Sequence, residues 1–309
     1  MIWLIGCKGM LGTEVSRQLT ESNFSWIGTD RDVDITNYDE LNKFALSHNT
    51  GYKGEKINWI INCSAYTAVD KAEEDTEICK KLNEDGPRNI ARLAREIGAK
   101  LIHISTDYVF DGTGNVPYTE DMERKPLGVY GATKAAGEEA VENSMSTYYI
   151  LRTAWLYGFD GKNFVYTMTN AMNTRESVKV VSDQKGSPTC AVNLAAVMIK
   201  IILSHTNATS IIGKGSPLPY GIYHVTDEGE TTWFEFTQKI YKLGKKYKRI
   251  SNLNCQINPC TTEEYPTAAK RPAYSVLSKE KIQKMLKIKL PKWESSLEKF
   301  IKSEKFEIR

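Results

Sequence analysis

No apolar run in this chain is long enough to cross a bilayer. The longest, Val192 to Leu203, is broken by Asn193 and Lys200, whereas a spanning helix needs roughly 20 apolar residues. The opening residues, Met1-Ile-Trp-Leu-Ile5, carry no basic stretch and no small-residue cleavage site, so no secretory leader is expected. Histidine is scarce and scattered (His48, His103, His205, His224), which argues against a His/Cys metal centre. The six cysteines form no CxxC pair and are expected to be reduced thiols of a cytoplasmic protein. Charge of one sign is lacking too. Lys and Arg total 41 against 38 Asp and Glu, a net +3 mixed along the chain, so neither nucleic acid nor a membrane is an expected partner. There is no internal repeat and no low-complexity tract.

What is present is an ordinary globular composition, 41% hydrophobic and 26% charged over 309 residues, enough for one large core or two modest ones. In the first half, β-rich runs alternate with helix-length segments. Ile2–Ile5, Trp26–Thr29, Trp59–Cys63, Leu101–Ser105 and Tyr148–Arg152 read as strands, and Thr13–Leu19, Tyr38–Leu46, Pro87–Ile97 and Ala132–Glu142 as helices. Pro87–Ile97 is the clearest helix: Ile90, Leu93, Ala94 and Ile97 share one face and Gly98 stops it. Strands that are continuous apolar runs and alternate with helices predict an α/β, Rossmann-like, doubly wound parallel sheet with helices on both faces. Ser47–Lys56 reads as a surface loop or a frayed helix end.

The second half is less regular. Strands are expected at Lys179–Val181 and Ile222–Val225, and helices at Val192–Leu203, Thr232–Leu243, Lys279–Met285 and Trp293–Ile301, with Pro and Gly gathered at Gly213–Gly221 and Pro259–Pro272. The expected division is a dinucleotide-binding domain over 1–155, joined by later segments near 178–203 and 221–227. A smaller mixed α/β substrate-binding domain takes up most of 156–309.

Gly6-Cys-Lys-Gly9-Met-Leu-Gly12 follows the first strand and opens the first helix. Glycines there permit a tight turn, and a helix N-terminus offers free N–H groups to a pyrophosphate. The spacing is GxxGxxG rather than GxGxxG. Asp30 ends the second strand, 18 residues beyond Gly12, where a carboxylate can bind the adenosine ribose. A lone Asp favours NADH, but Lys8 and Arg31 can each meet a 2′-phosphate, so NADPH and NADH both stay open. Asp34 and Ile35 come next along the chain, beside the expected adenine position.

Tyr130 and Lys134 are four residues apart and share one helix face. A phenol with pKa ~10 is a poor acid at neutral pH. A neighbouring ammonium is expected to lower it and make the tyrosine a proton donor for a carbonyl receiving hydride. Ser105 and Thr106 end the fourth strand, 24 residues or so before Tyr130. A hydroxyl there can orient the carbonyl, because the carboxyl ends of parallel strands face the cofactor crevice.

These features carry a resemblance that covers nearly the whole chain. It rests on Gly6–Gly12, Asn62-Cys-Ser-Ala-Tyr-Thr-Ala-Val-Asp-Lys-Ala-Glu73, Ser105-Thr-Asp-Tyr-Val-Phe110, Tyr130/Lys134, Arg152-Thr-Ala-Trp-Leu-Tyr157, Asp183-Gln-Lys-Gly-Ser-Pro-Thr189, Thr231-Thr-Trp233 and Arg271-Pro272. On these the chain resembles the extended short-chain dehydrogenase/reductase family, in particular its branch that reduces dTDP-4-dehydro-L-rhamnose at C4. The resemblance implies an NADPH- or NADH-dependent reductase with Thr106, Tyr130 and Lys134 as catalytic triad. It implies a cofactor site of Gly6, Gly9, Met10, Leu11, Gly12, Asp30, Asp34, Ile35, Cys63, Ser64 and Ala65, with Tyr130 and Lys134 at the nicotinamide ribose. It also implies a nucleotide-sugar site of Thr67, Val69, Asp70, Thr106, Asp107 and Trp155, with Arg271 near the phosphates, where a guanidinium can bind bidentately.

The chain departs from the family pattern in one place, and a second position separates it from a related activity. Some members share a magnesium site of glutamates at a dimer interface. Here Glu14 is present, but Val192 stands where a second glutamate is expected, so no metal is expected and either a monomer or a homodimer fits. Related dehydratases follow the strand-four threonine with an acidic pair, whereas Asp107 is followed by Tyr108, which disfavours elimination. A nucleotide-sugar epimerase, or a non-catalytic nucleotide-binding regulatory subunit, stays open at this level.

Overall fold

The computed structural model describes residues 1–48, 56–208 and 217–307. The apolar runs form strands β1 (Ile2–Ile5), β2 (Trp26–Thr29), β3 (Trp59–Asn62), β4 (Lys100–Thr106) and β5 (Tyr148–Thr153). Between them lie helices α1 (Met10–Glu21), α2 (Tyr38–His48), α3 (Thr76–Lys80), α4 (Gly86–Ile97) and α5 (Val129–Ser144). Then come the two-residue β6 (Leu156–Tyr157), α6 (Phe164–Thr174), β7 (Ser177–Val181), β8 (Lys185–Gly186), β9 (Thr189–Cys190) and α7 (Ala191–Ala208). The chain continues through β10 (Gly221–His224), β11 (Thr231–Thr232), α8 (Trp233–Lys246), β12 (Gln256–Cys260), α9 (Glu280–Leu286) and α10 (Trp293–Lys302).

The main sheet runs β10-β5-β4-β3-β1-β2, with every pairing parallel. This is the expected doubly wound α/β fold. Alternation along the strands divides the core between the two faces. Ile2 and Leu4 point to one face and pack with Leu11, Val15 and Leu19 of α1 and Leu194, Met198 and Ile201 of α7. Trp3 and Ile5 point to the other and pack with Leu41 of α2, Ile90 and Ala94 of α4 and Val141 of α5. α4 begins with Pro87 in its first turn and stops at Gly98, whose φ of +70° reverses the chain.

A separate core lies beside the sheet. Val165 and Met172 of α6, Val178 of β7, Phe236 and Ile240 of α8, and Leu297 and Phe300 of α10 pack together there, while β7 pairs with β12 rather than with the main sheet. The later segments thus divide. α7 covers α1 and β10 completes the main sheet, but 178–181 belongs to the second core. α6 is a helix that its own sequence does not predict. Its β-branched and Asn-rich sequence has weak intrinsic helicity, and burial of Val165, Met168 and Met172, with an Asn163 N-cap, stabilises it. Most of the expected loop Ser47–Lys56 and the first part of the Gly213–Gly221 cluster lie outside the described residues; Ser47 and His48 close α2. Among the described residues, no helix is long and apolar enough to cross a membrane.

Candidate active site

The register brings the reactive loops together. Ile5 is level with Thr29 on one side and Asn62 on the other, so Gly6, Asp30 and Cys63 all leave the sheet at the same edge. β4 runs on past β3: Asn62 is level with His103, and Ser105 and Thr106 project further, beside Arg152 and Thr153. Strand order reverses between β1 and β3, and ligand crevices of this architecture open there. A cleft of about 800 Å³ occupies that place.

One end of the cleft is a phosphate cradle. Gly6 has φ +77°, and a Cβ on it would lie 2.8 Å from the Ser64 nitrogen. Gly9 is the N-cap of α1 and brings no capping side chain, so the first N–H groups of α1 are left for an anion. Asn62 shapes the facing turn: its Oδ1 accepts from the Ser64 amide at 3.0 Å and from the Ser64 hydroxyl at 2.6 Å. Asp34 Oδ1 likewise accepts from the Thr36 amide at 2.8 Å. These residues fit a dinucleotide. Gly6, Gly9, Met10, Leu11, Asp30, Asp34, Ile35, Cys63, Ser64 and Ala65 all line the cleft, and Arg31 does too.

Gly12 does not line the cleft. A Cβ there would sit 2.0 Å from the Gly6 carbonyl oxygen, so its task is to let α1 lie against the turn. Lys8, the other candidate for a 2′-phosphate, is exposed and also not among the lining residues.

The other end of the cleft holds Thr106, Asp107, Tyr130 and Lys134, with Thr67, Val69 and Trp155 on its walls. Tyr130 sits in the first turn of α5, whose leading amide, Val129 N–H, donates to Glu73 Oε1 at 2.9 Å. Glu73 closes the Val69–Glu73 motif, and its anchoring role was not legible from sequence. Gly131 lets α5 rest on the Tyr108 carbonyl, where a Cβ would come within 2.2 Å. The Tyr108 and Tyr130 rings meet edge to face at 5.4 Å. Lys162, Leu82, Thr153 and Ala154 also line the cleft. Thr153 and Ala154 belong to the Arg152–Tyr157 segment, whereas Leu82 and Lys162 belong to no motif, and only the fold brings those two here.

The electrostatics differ from the expectation at Tyr130. Burial raises the phenol above its ordinary value of 10; a hydrogen bond to Thr106 acts the other way, and the Asp107 charge adds to the rise. Lys134 is not among the main influences; its Nζ donates to the Ile104 carbonyl oxygen at 2.6 Å. Burial lowers the lysine itself from 10.5 to about 8, with Glu138 opposing. Tyr130 therefore holds its proton, as a donor must. Burial also raises Asp107 from 3.8 to about 6, against hydrogen bonds from Ser275 and Thr106. Thr106 Oγ1 donates to Asp107 Oδ1 at 2.9 Å. Beneath the site, Arg152 makes bonds of 2.9 and 2.7 Å to the fully buried Glu138, which Arg124 joins at 2.6 Å.

Asp70 and Arg271 stand outside the cleft wall and bind each other. Arg271 Nη2 donates to Asp70 Oδ2 at 2.6 Å and Nη1 to the Tyr108 hydroxyl at 2.9 Å. The carboxylate expected to flank the sugar is thus engaged by the guanidinium expected at the phosphates. Glu14 is held by Arg17 and Gln18, and Gln18 also donates to the Val192 carbonyl oxygen at 2.9 Å. Among the described residues, no group of three His, Cys, Asp or Glu is placed to hold a metal, and none of the six cysteines is paired.

Residues 1–306 match the family model of the RmlD substrate binding domain. The dTDP-4-dehydrorhamnose reductase of Salmonella typhimurium is 34% identical over 302 residues, which are 97% of this chain and 96% of that one. The crystal structure of a dTDP-4-dehydrorhamnose reductase from Clostridium acetobutylicum superposes with a TM-score of 0.85 at 41% identity, covering 97% of this chain and 98% of that one. The Bacillus anthracis dTDP-4-dehydrorhamnose reductase in complex with NADP gives 0.84 at 35% identity, covering 97% of each chain. With its doubly wound sheet and its phosphate cradle at the switch point, the chain belongs to the dTDP-4-dehydrorhamnose reductase family of NAD(P)-dependent oxidoreductases.

Proposed function

We propose that this protein reduces the C4 keto group of dTDP-4-dehydro-L-rhamnose to dTDP-L-rhamnose with NADPH or NADH, and that Tyr130 is the general acid. The observation that carries the reading is the meeting of Thr106, Tyr130 and Lys134 at one end of a cleft whose other end is a dinucleotide cradle. The likeness to reductases of that name over 97% of the chain supports the choice of sugar.

The bound nicotinamide would supply the hydride to C4. As negative charge develops on the carbonyl oxygen, Tyr130 donates its proton there. A buried phenol is strengthened as a donor when water is excluded and the accepting oxygen becomes anionic. Thr106, at the projecting end of β4, orients the same oxygen. Lys134 is held on Ile104 at the site's floor and carries a positive charge below about pH 8; this charge favours the phenolate left behind. Thr67, Val69, Asp107 and Trp155 form the sugar's walls, and Gly6, Gly9, Met10, Leu11, Asp30, Asp34, Ile35 and Cys63–Ala65 hold the dinucleotide.

The test is NADPH and NADH oxidation, followed by absorbance, with dTDP-4-dehydro-L-rhamnose as substrate. Oxidation is expected, and Tyr130→Phe should lower kcat by about 10²- to 10⁴-fold, the usual worth of a positioned acid, with cofactor affinity kept. A Tyr130→Phe enzyme with near-normal kcat would remove Tyr130 from the acid role. No oxidation by the folded wild type would remove the substrate assignment.

A further inference from the structure

Two motifs remain unexplained by the cleft: Asp183–Thr189 and Thr231–Trp233 contribute no wall residue. Both meet behind one that does. β8 and β11 pair antiparallel, with Thr231 opposite Gly186 and Thr232 opposite Lys185. Trp233 follows as the first residue of α8, fixed by a reciprocal cap: Thr232 Oγ1 accepts from the Glu235 amide at 3.1 Å, and Glu235 Oε2 accepts from the Thr232 amide at 3.0 Å. The Trp233 indole lies on that of Trp155, with centroids 3.5 Å apart and planes 9° from parallel. Phe164 supports Trp233 in turn, at 4.5 Å between ring centroids. At Gly186 a Cβ would lie 2.6 Å from Trp155 Cε2 and 2.7 Å from Nε1, so only glycine leaves the indole its place.

Trp155 needs this support. Its φ is +47°, a left-handed conformation that a bulky side chain rarely adopts and that persists only where its surroundings over-determine it. Its carbonyl is tied by the Thr189 amide at 3.2 Å. Constraints on it come from β8, β9 and α8.

We propose that Trp233 and Gly186 are positioning residues for the sugar. They clamp Trp155 in its strained pose, so that its indole presents a fixed apolar plane to the C–H face of a deoxysugar ring at the cleft wall. The inference rests on the reading of this cleft as a nucleotide-sugar site. It makes the second core part of substrate selection rather than a passive support.

The test combines kinetics with the far-ultraviolet circular dichroism of the indole pair. Two stacked indoles give an exciton couplet, expected in the wild type and lost in both Trp155→Phe and Trp233→Phe. Trp233→Ala should raise KM for the nucleotide sugar about three- to tenfold, the worth of one aromatic pair. KM for NADPH should stay the same and kcat should fall less than KM rises. Trp233→Phe, which keeps a ring on Trp155, should recover most of the loss. Gly186→Ala should alter the couplet with both indoles present and raise the same KM. The clamp is overturned if the wild type has no couplet. It is also overturned if folded Trp233→Ala leaves the sugar KM within twofold of wild type, or raises both KM values equally. A wild type that shows the couplet but does not turn over the sugar would instead sink the functional reading beneath it.

Discussion

Replacing Asp107 with Asn should stabilise this protein at neutral pH, although the residue lies in the active site. Asp107 is 2% exposed, and burial raises its carboxyl from 3.8 to about 6, in spite of the hydroxyls of Thr106 and Ser275. Between those two values the folded state binds the extra proton, so stability from this group falls as pH rises. The penalty is complete above about pH 6 and absent below about pH 4. The gap is worth about 3 kcal/mol at ~1.4 kcal/mol per pH unit. Asparagine keeps the shape and an oxygen for Thr106 but has no charge to desolvate. Urea unfolding at fixed pH steps should therefore find Asp107→Asn more stable by about 1–3 kcal/mol near neutrality. The difference from wild type should shrink steadily as pH falls towards about 4. Taking the difference removes the many other carboxylates, which titrate alike in both proteins. A difference that is constant over this range, or a wild type that is the more stable at neutral pH, would refute the reasoning that burial sets the Asp107 proton affinity.

Three further outcomes are expected. Cofactor affinity, read by fluorescence titration without sugar, should decline as pH passes about 8, where Lys134 loses its proton; Lys134→Met should remove that limb, and a limb that survives would place it on another group. Glu138→Gln should cost about 3–5 kcal/mol in urea unfolding, because it leaves the buried Arg152 without its counter-charge; a loss under ~1 kcal/mol would mean that the guanidinium finds water or another acceptor. Asp70→Asn should tighten binding of dTDP by freeing Arg271 from its ion pair, with an effect that weakens as salt is added; weaker binding would make Asp70 a ligand contact instead of a competitor.

Local sequence determined the doubly wound half. Apolar runs such as Ile2–Ile5 can be satisfied only when buried on both faces, and helix signals as plain as Pro87 and Gly98 need no tertiary help. The same holds for the Gly6–Gly9 cradle, Asp30 and the Tyr130/Lys134 spacing, since each follows from the turn or helix that carries it. Other features depended on pieces distant in sequence. α6 is helical because the second core buries it, and β6, β8, β9 and β11 are each two residues long, too short for any periodicity to register. The proton affinity of Tyr130 is raised by desolvation, which the Tyr130/Lys134 spacing does not show because it is set by how β4 and α5 pack. Asp70 and Arg271, 201 residues apart, pair only through the fold. So do Trp155, Gly186 and Trp233, whose contact links the sheet's edge to the second core. Periodicity and turn chemistry act over a few residues, so a sequence displays them directly; burial and long-range contact exist only once the chain has closed on itself.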